Sequence, residues 1–266
     1  MNAAYQSGAT PVMSALLMAY EKDCAAARLA APDLSVCVDE AYRQLGRSPD
    51  RVFAQVNQKI IDLLEADAKQ AEHAYHNRHH VRDVVCAVVL LLLQGEPAVT
   101  PHVVDCMITA ALGHDLHHDG LGTMSQRDVE RRSATAVLAI AKDAGLPQAD
   151  MGFIEGLILA TYPPIQRRLR EKLAQGQGSD PEDMMALVFG EADVLASLTP
   201  TFGKILSISL SAEWRKAGLI FPSMPDDDAG RALFLGLYRH LTPSARRLGV
   251  EAMVLDQMQI LQRNVS

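Results

Sequence analysis

Three histidines fall within five residues in the stretch YHNRHH, residues 75–80, beside an asparagine and an arginine. Imidazole is the commonest metal ligand and the side chain whose charge changes near neutral pH. If this stretch is the opening turn of a helix, His76 and His80 stand at i and i+4 and share one face, while His79 points elsewhere. Such a pair can clamp a metal, or one ring can bind metal while the other works as an acid. It can equally be two helix-start histidines bonded to backbone carbonyls. Further along, GHDLHHDG (113–120) holds an adjacent His114-Asp115. That dipeptide can set an imidazole and a carboxylate on one metal centre, with the second oxygen of Asp115 free to bridge another ion. His118 follows His114 by one helical turn and can face the same centre, whereas His117 points off-axis. Leaving these groups buried and unpaired would be costly, so they are either exposed or satisfied by something such as a metal. Asp193, in GEADVLASL (190–198), sits among Leu187, Val188, Val194 and Leu195. It is either a third source of ligand or a carboxylate on an exposed helix face, and Glu191 is its rival.

The elements that must position these residues read as helices. Val12–Ala30 is amphipathic, and Asp50 to about Ala74 carries Val52, Val56, Ile60, Leu63 and Leu64 at helical spacing. His79–Gln94 contains the most apolar run of the chain and reads as a buried helix. Thr100-Pro101 caps and starts the next one. Its apolar face runs to Leu112, and a polar loop follows. Ser125 or Asp128 opens a helix running to Asp143. Further helices are expected at Asp150–Thr161, from Ser179 or Asp180 through the Asp193 segment, and near Phe202–Lys216, Ala229–Leu241 and Pro243–Arg263. The loop Phe221–Gly230 is a candidate wall of the site. With no alternating strand pattern and no linker, the expected architecture is one all-α domain over residues 1–266, its motif-bearing core at about 50–200.

Composition narrows the function classes. Apolar residues make up 48% and aromatics 5% of the 266 residues. Alanine, leucine and valine therefore fill the interior, which favours helices. The net charge of −7 argues against a sequence-independent grip on nucleic acid. It is compatible with an anionic substrate where bound metal supplies positive charge. The four cysteines (Cys24, Cys37, Cys86, Cys106) show no CxxC spacing and read as reduced thiols. With no basic residue before Lys22, no secretory signal is expected, and Val84–Leu93 is too short to span a bilayer. A cytoplasmic protein without membrane or nucleic-acid partners is the expectation, with a homodimer left open. The basic run Arg167, Arg168, Arg170 and Lys172 reads as a solvated helix face before it reads as an anion trap. Trp214 reads as packing.

In order along the chain, His80, His114-Asp115 and Asp193 form the H…HD…D pattern. This resembles the HD-domain superfamily of metal-dependent phosphohydrolases. YHNRHH resembles the YHNxxH motif of the class I cyclic nucleotide phosphodiesterases, and GHDLHHDG resembles their HDxxHxG. The matching motifs run from Tyr75 to Asp193, under half of the chain. The resemblance implies an all-α fold and a first metal held by His80, His114, Asp115 and Asp193. Asp115 would bridge to a second ion held mainly through waters, with His118 beside it. His76 would be the general acid, supported by a carboxylate for which Asp83 and Glu130 are the sequence candidates. Asn77 would support the site and Tyr75 line the pocket. DVERRSA (128–134) is similar to an ExxSA element and would bring Glu130 to a metal-bound water or to His118. The tyrosine of ILATYP replaces an acid of the family, so Tyr162 receives no role. The base-selecting glutamine has no clear counterpart; Gln257, Gln259 and Gln262 are candidates by type.

The implied cofactors are two divalent ions. A histidine–carboxylate set suits Zn, Fe, Mn or Ni at the first site, and a water-rich second site suits Mg or Mn. The implied substrate is a small phosphate ester, a nucleotide such as a 3′,5′-cyclic nucleotide. Alternatives within the superfamily are a phosphomonoester or pyrophosphate hydrolase, a silent nucleotide-binding module, and a di-iron oxygenase, which would need further histidines such as His117 and His118 on the metals.

Overall fold

The computed structural model describes residues 13–95, 99–120, 128–176 and 180–265. Among them are fourteen α-helices and no strand, so the all-α expectation holds. Three helices form the centre. They are α5 (Arg78–Leu92), α6 (Pro101–Gly113) and α10 (Pro181–Leu198), and α5 packs most extensively against α10. Their facing residues Val81, Val84, Val88, Met107, Ile108, Ala111, Val188, Phe189 and Leu195 are buried.

Around this trio stand α1 (Ala15–Ala26), α2 (Leu34–Gln44), α3 (Arg51–Ala66), the single turn α4 (Ala68–Ala71), α7 (Asp128–Asp143), α8 (Gln148–Ala160) and α9 (Pro163–Ala174). The C-terminal part adds α11 (Phe202–Lys216), α12 (Asp228–Gly236), α13 (Pro243–Leu248) and α14 (Val250–Val265). No single helix among the described residues is long and apolar enough to cross a membrane. The bent pair α10 and α11 has the length and composition to do so, but the apolar face of α10 is buried in this core.

Capping chemistry sets most boundaries. Thr100 accepts from the Val103 amide with Pro101 at the first helical position, as expected. Asp180, not Ser179, caps α10; Ser179 and Ser125 lie outside the described residues. Several expected boundaries move. The first helix spans Ala15–Ala26 rather than Val12–Ala30, the one expected at Ala229–Leu241 ends at Gly236, and Pro243–Arg263 is broken at Gly249 (φ 92°) into α13 and α14. The helix expected to reach Ala74 stops at Ala66, because Asp67 leaves helical geometry and caps the short α4 through the Gln70 amide. The helix α5 begins at Arg78, because the Asn77 side chain caps it by accepting from the amides of His79 and His80. His76 therefore lies outside the helix, and its relation to His80 is not the i, i+4 pairing the sequence suggested.

Close approach of α9 to α10 depends on Gly190. A Cβ there would fall 2.1 Å from the amide nitrogen of Gln166, whose side chain ties the carbonyls of Ala160 and Ala186 together. This seats α10, and with it Asp193, against its neighbours.

Candidate active site

One side chain from the first turn of α5, two from the end of α6 and one from α10 converge on a point. His80 Nε2 lies 3.2 Å from His114 Nε2, 3.4 Å from an oxygen of Asp115 and 3.1 Å from an oxygen of Asp193. His114 Nε2 lies 3.3 Å from Asp115 and 3.4 Å from Asp193. Donors held on one ion at ordinary ligand distances stand about 3.0 Å apart in an octahedron and about 3.4 Å apart in a tetrahedron. The observed spacings fall across that range. Asp115 Oδ2 is buried without a hydrogen-bond partner, although it faces two imidazole nitrogens. His114 Nδ1 is turned to the carbonyl of Ala111, which leaves Nε2 aimed inward. The four groups fit a divalent cation, and His80, His114 and Asp115 alone offer three atoms close enough to share one.

The electrostatics agree. Burial opposes a charge on Asp115, but His114, helped by His76 and His118, holds its carboxyl well below the ordinary value. Burial likewise opposes ionisation of Asp193, and the bonds from His114 and His80 overcome it. Both are ionised and ready to bind. Burial works against a charge on His114 too, yet the two carboxylates carry its pKa well above the usual imidazole value. That excess negative charge is what a cation would neutralise.

Beside this cluster stands a second constellation. His76 Nδ1 hydrogen-bonds Glu213 Oε1, from α11, while Glu213 Oε2 accepts the backbone amides of Tyr75 (3.0 Å) and His76 (3.2 Å). Burial lowers the His76 pKa, but the Glu213 bond and the charges of Asp115, Glu213 and Asp193 outweigh it, and the net shift is upward. Burial raises the Glu213 carboxyl, and the same bond pulls it down to about 2. The His118 ring stacks on His76, with centroids 3.8 Å apart and planes 16° apart. Burial and the His76 charge push His118 down to about 4, so it stays neutral.

Several expectations change here. The carboxylate that holds His76 is Glu213, not Asp83. Asp83 is committed to Arg28 at 2.6 Å and Arg82 at 3.2 Å. Glu130 sits half-buried in the first turn of α7. The helix ends at Gly113 and His117 takes a left-handed turn (φ 63°), so His118 does not continue the helical face of His114; its ring stacks on His76, within electrostatic reach of Asp115. His117 points out toward Asp67, so neither extra histidine joins the cluster. Burial beside Arg28, Arg78 and Arg82 lowers His79 to about 4, and it faces away from the cluster.

The supporting residues act through the backbone. Asn77 orients His80 by capping α5, and its amide nitrogen donates to the carbonyl of His73. Tyr75 is buried against the rings of His76 and His80, and its hydroxyl bonds Ser197 at 2.8 Å. Gln257 is occupied: it accepts from Arg231 and donates to the carbonyl of Leu198, which removes it as a base-reading residue. Gln259 and Gln262 are exposed on α14. Trp214 packs edge-on against Phe221, as a packing residue.

Glu191, the rival to Asp193, has another task. It is buried, pairs with Arg170 at 3.2 Å, and accepts from the Thr242 amide and hydroxyl. Arg170 lies over the Tyr238 ring and bonds Gln166. So one member of the basic run is structural rather than solvated, while Lys172 pairs at the surface with Asp183. Removing one partner of a buried pair strands the other charge. Arg170→Met is therefore expected to lose about 3–5 kcal/mol of stability in urea unfolding while bound metal per folded chain stays at the wild-type level.

Two solved structures share the arrangement of helices. The phosphodiesterase domain of the RhoPDE fusion protein from the choanoflagellate Salpingoeca rosetta matches at 18% identity and a TM-score of 0.59, over 87% of this chain and 88% of that one. LmjPDEB1, solved in complex with IBMX, matches at 18% identity and a TM-score of 0.60, over 85% and 83%. No protein-family model and no curated protein matches the sequence. At this identity the likeness is one of fold: the chain shares the all-α arrangement of helices of these phosphodiesterase structures.

Proposed function

We propose that this chain is a metal-dependent phosphodiesterase whose substrate is a small phosphodiester of the 3′,5′-cyclic nucleotide kind. The observation that carries the reading is the pairing of two constellations: a four-donor cluster from three helices, and beside it a histidine whose Nδ1 is bonded by a buried carboxylate that favours its charged form. When bound, divalent ions at the cluster supply charge neutralisation for the phosphate and an acidified water. His80, His114, Asp115 and Asp193 are the residues that would hold them. The chain's own contribution is the proton. Glu213 occupies Nδ1 of His76, so the proton to be donated sits on Nε2, on the ring edge away from α11. A sugar alkoxide is a poor leaving group, and a positioned imidazolium suits its departure. Neutral His118, stacked on His76, does not compete for that role. Tyr75 keeps its phenol protonated, since burial and Asp193 push its pKa up, and it serves as wall rather than acid.

The centre is partly open to solvent on the side of Asp193 and His76. The side chains of Asp193 and His76 are 20% and 18% exposed, while that of His114 is 1% exposed. A neighbour of the same fold binds IBMX, which supports a small-molecule ligand of nucleotide size. The test is to measure bound metals by elemental analysis and then assay the protein against cyclic AMP, cyclic GMP, nucleoside monophosphates and a chromogenic phosphodiester. Hydrolysis of a diester is expected. Activity confined to monoesters would overturn the diester assignment and leave a phosphomonoesterase on the same ligands.

A further inference from the structure

His73 is left over by this reading. It lies in the turn after α4, and its Nδ1 is buried without a hydrogen-bond partner, a state that costs stability unless something satisfies it. One ring nitrogen of His73, one of His118 and one carboxylate oxygen of Glu213 lie within 4.8 Å of one another. The His73 and His118 rings meet edge-to-face at 6.2 Å. His118 Nδ1 accepts from the Gly120 amide at 3.0 Å, so Nε2 is the atom it can offer. Gly120 is in the left-handed region (φ +69°) and passes directly beneath His73; a Cβ there would fall 3.2 Å from His73 Nε2. His73, Gly120 and Glu213 line a cavity of about 260 Å³ together with Asp119 and Lys216, which gives an ion a way in.

We propose that His73, His118 and Glu213 form a further divalent-cation site, separate from the His80–His114 cluster, and that its occupation restrains the enzyme. Two imidazoles and one carboxylate, completed by water, are a donor set suited to zinc. The restraint follows from geometry. Glu213 already holds Nδ1 of His76 through Oε1 and two backbone amides through Oε2. An ion on either oxygen competes with a bond that positions His76, the ring through Oε1 or the backbone amides through Oε2. His73 takes no part in the hydrolysis described above, so its side chain couples the added ion to the acid without being needed for turnover.

The restraint, though not the site, rests on the proposed hydrolase activity, and the experiment separates the two. Wild type and His73→Phe, which keeps a ring over Gly120 but carries no donor, are equilibrated with zinc, freed of excess and analysed for metal. Wild type is expected to hold one equivalent more than the variant, and with cobalt in place of zinc to show a visible absorption component that the variant lacks. His73→Gln serves as the second variant should the first fold poorly. Equal metal content in wild type and variants overturns the site. In turnover, added zinc is expected to slow the wild type roughly 10–100-fold and to leave His73→Phe at its basal rate. Equal inhibition of both overturns the restraint. Absence of any hydrolysis removes the proposed function, while the difference in metal content still decides the site.

Discussion

Asp193→Ala is expected to empty the centre of metal and to take hydrolysis to background. Asp193 is the carboxylate of α10 that reaches both imidazoles, at 3.1 Å and 3.4 Å. Without it the cation keeps two neutral nitrogens and the one carboxylate of Asp115. Half of the negative charge that offsets a divalent ion is gone. Metal-derived stabilisation of a phosphoryl transition state is worth several kcal/mol, so losing it lowers turnover by about 10³-fold or more. The check is elemental analysis of the folded variant beside Glu191→Gln, which is expected to retain metal because Glu191 is spent on Arg170 and Thr242. Near-normal metal in Asp193→Ala, or loss of metal in Glu191→Gln, would reverse the assignment of the two carboxylates.

The cluster was legible because its members sit in short, dense motifs. His80 and His114-Asp115 are marked by neighbours of the same chemistry. Asp193 is marked by being an acid within the apolar stretch of its helix, a mark it shares with Glu191, and nothing in the sequence ranked one above the other. Only the packing of α9 does that, by delivering Arg170 to Glu191. Helix content was legible from apolar periodicity, but two boundaries were lost to side chains that cap in mid-pattern, Asp67 and Asn77. Both are residue types that favour caps over helix interiors, so the signal was present and outweighed by the apolar repeat. Glu213 was missed for a different reason. It lies 137 residues from His76, beside Arg215 and Lys216, where an acid reads as a solvated face. Yet it follows Leu206 and Leu210 at i+7 and i+3, on the face α11 turns inward. An acid on an apolar stripe needs a partner, and the sequence alone does not say that the partner is a histidine far upstream.

That distant pair supports the second large effect. His76→Ala is expected to lower turnover by about 10²–10⁴-fold with metal content unchanged, the range that a general acid supplies. Loss of metal in this variant would make His76 a ligand instead. Glu213→Gln separates the acid from its support. Burial alone would lower the His76 pKa; the Glu213 bond and the neighbouring carboxylates raise it above the ordinary value. A general acid works only while protonated, so activity falls as pH rises through its pKa. Taking away the Glu213 charge removes part of what raises that pKa. The alkaline limb of the kcat profile is therefore expected to move to lower pH in Glu213→Gln, with turnover partly restored on the acidic side. A ring merely packed against Glu213 for stability would lose activity evenly across the profile, and a limb that stays in place would leave His76 without its role as proton donor.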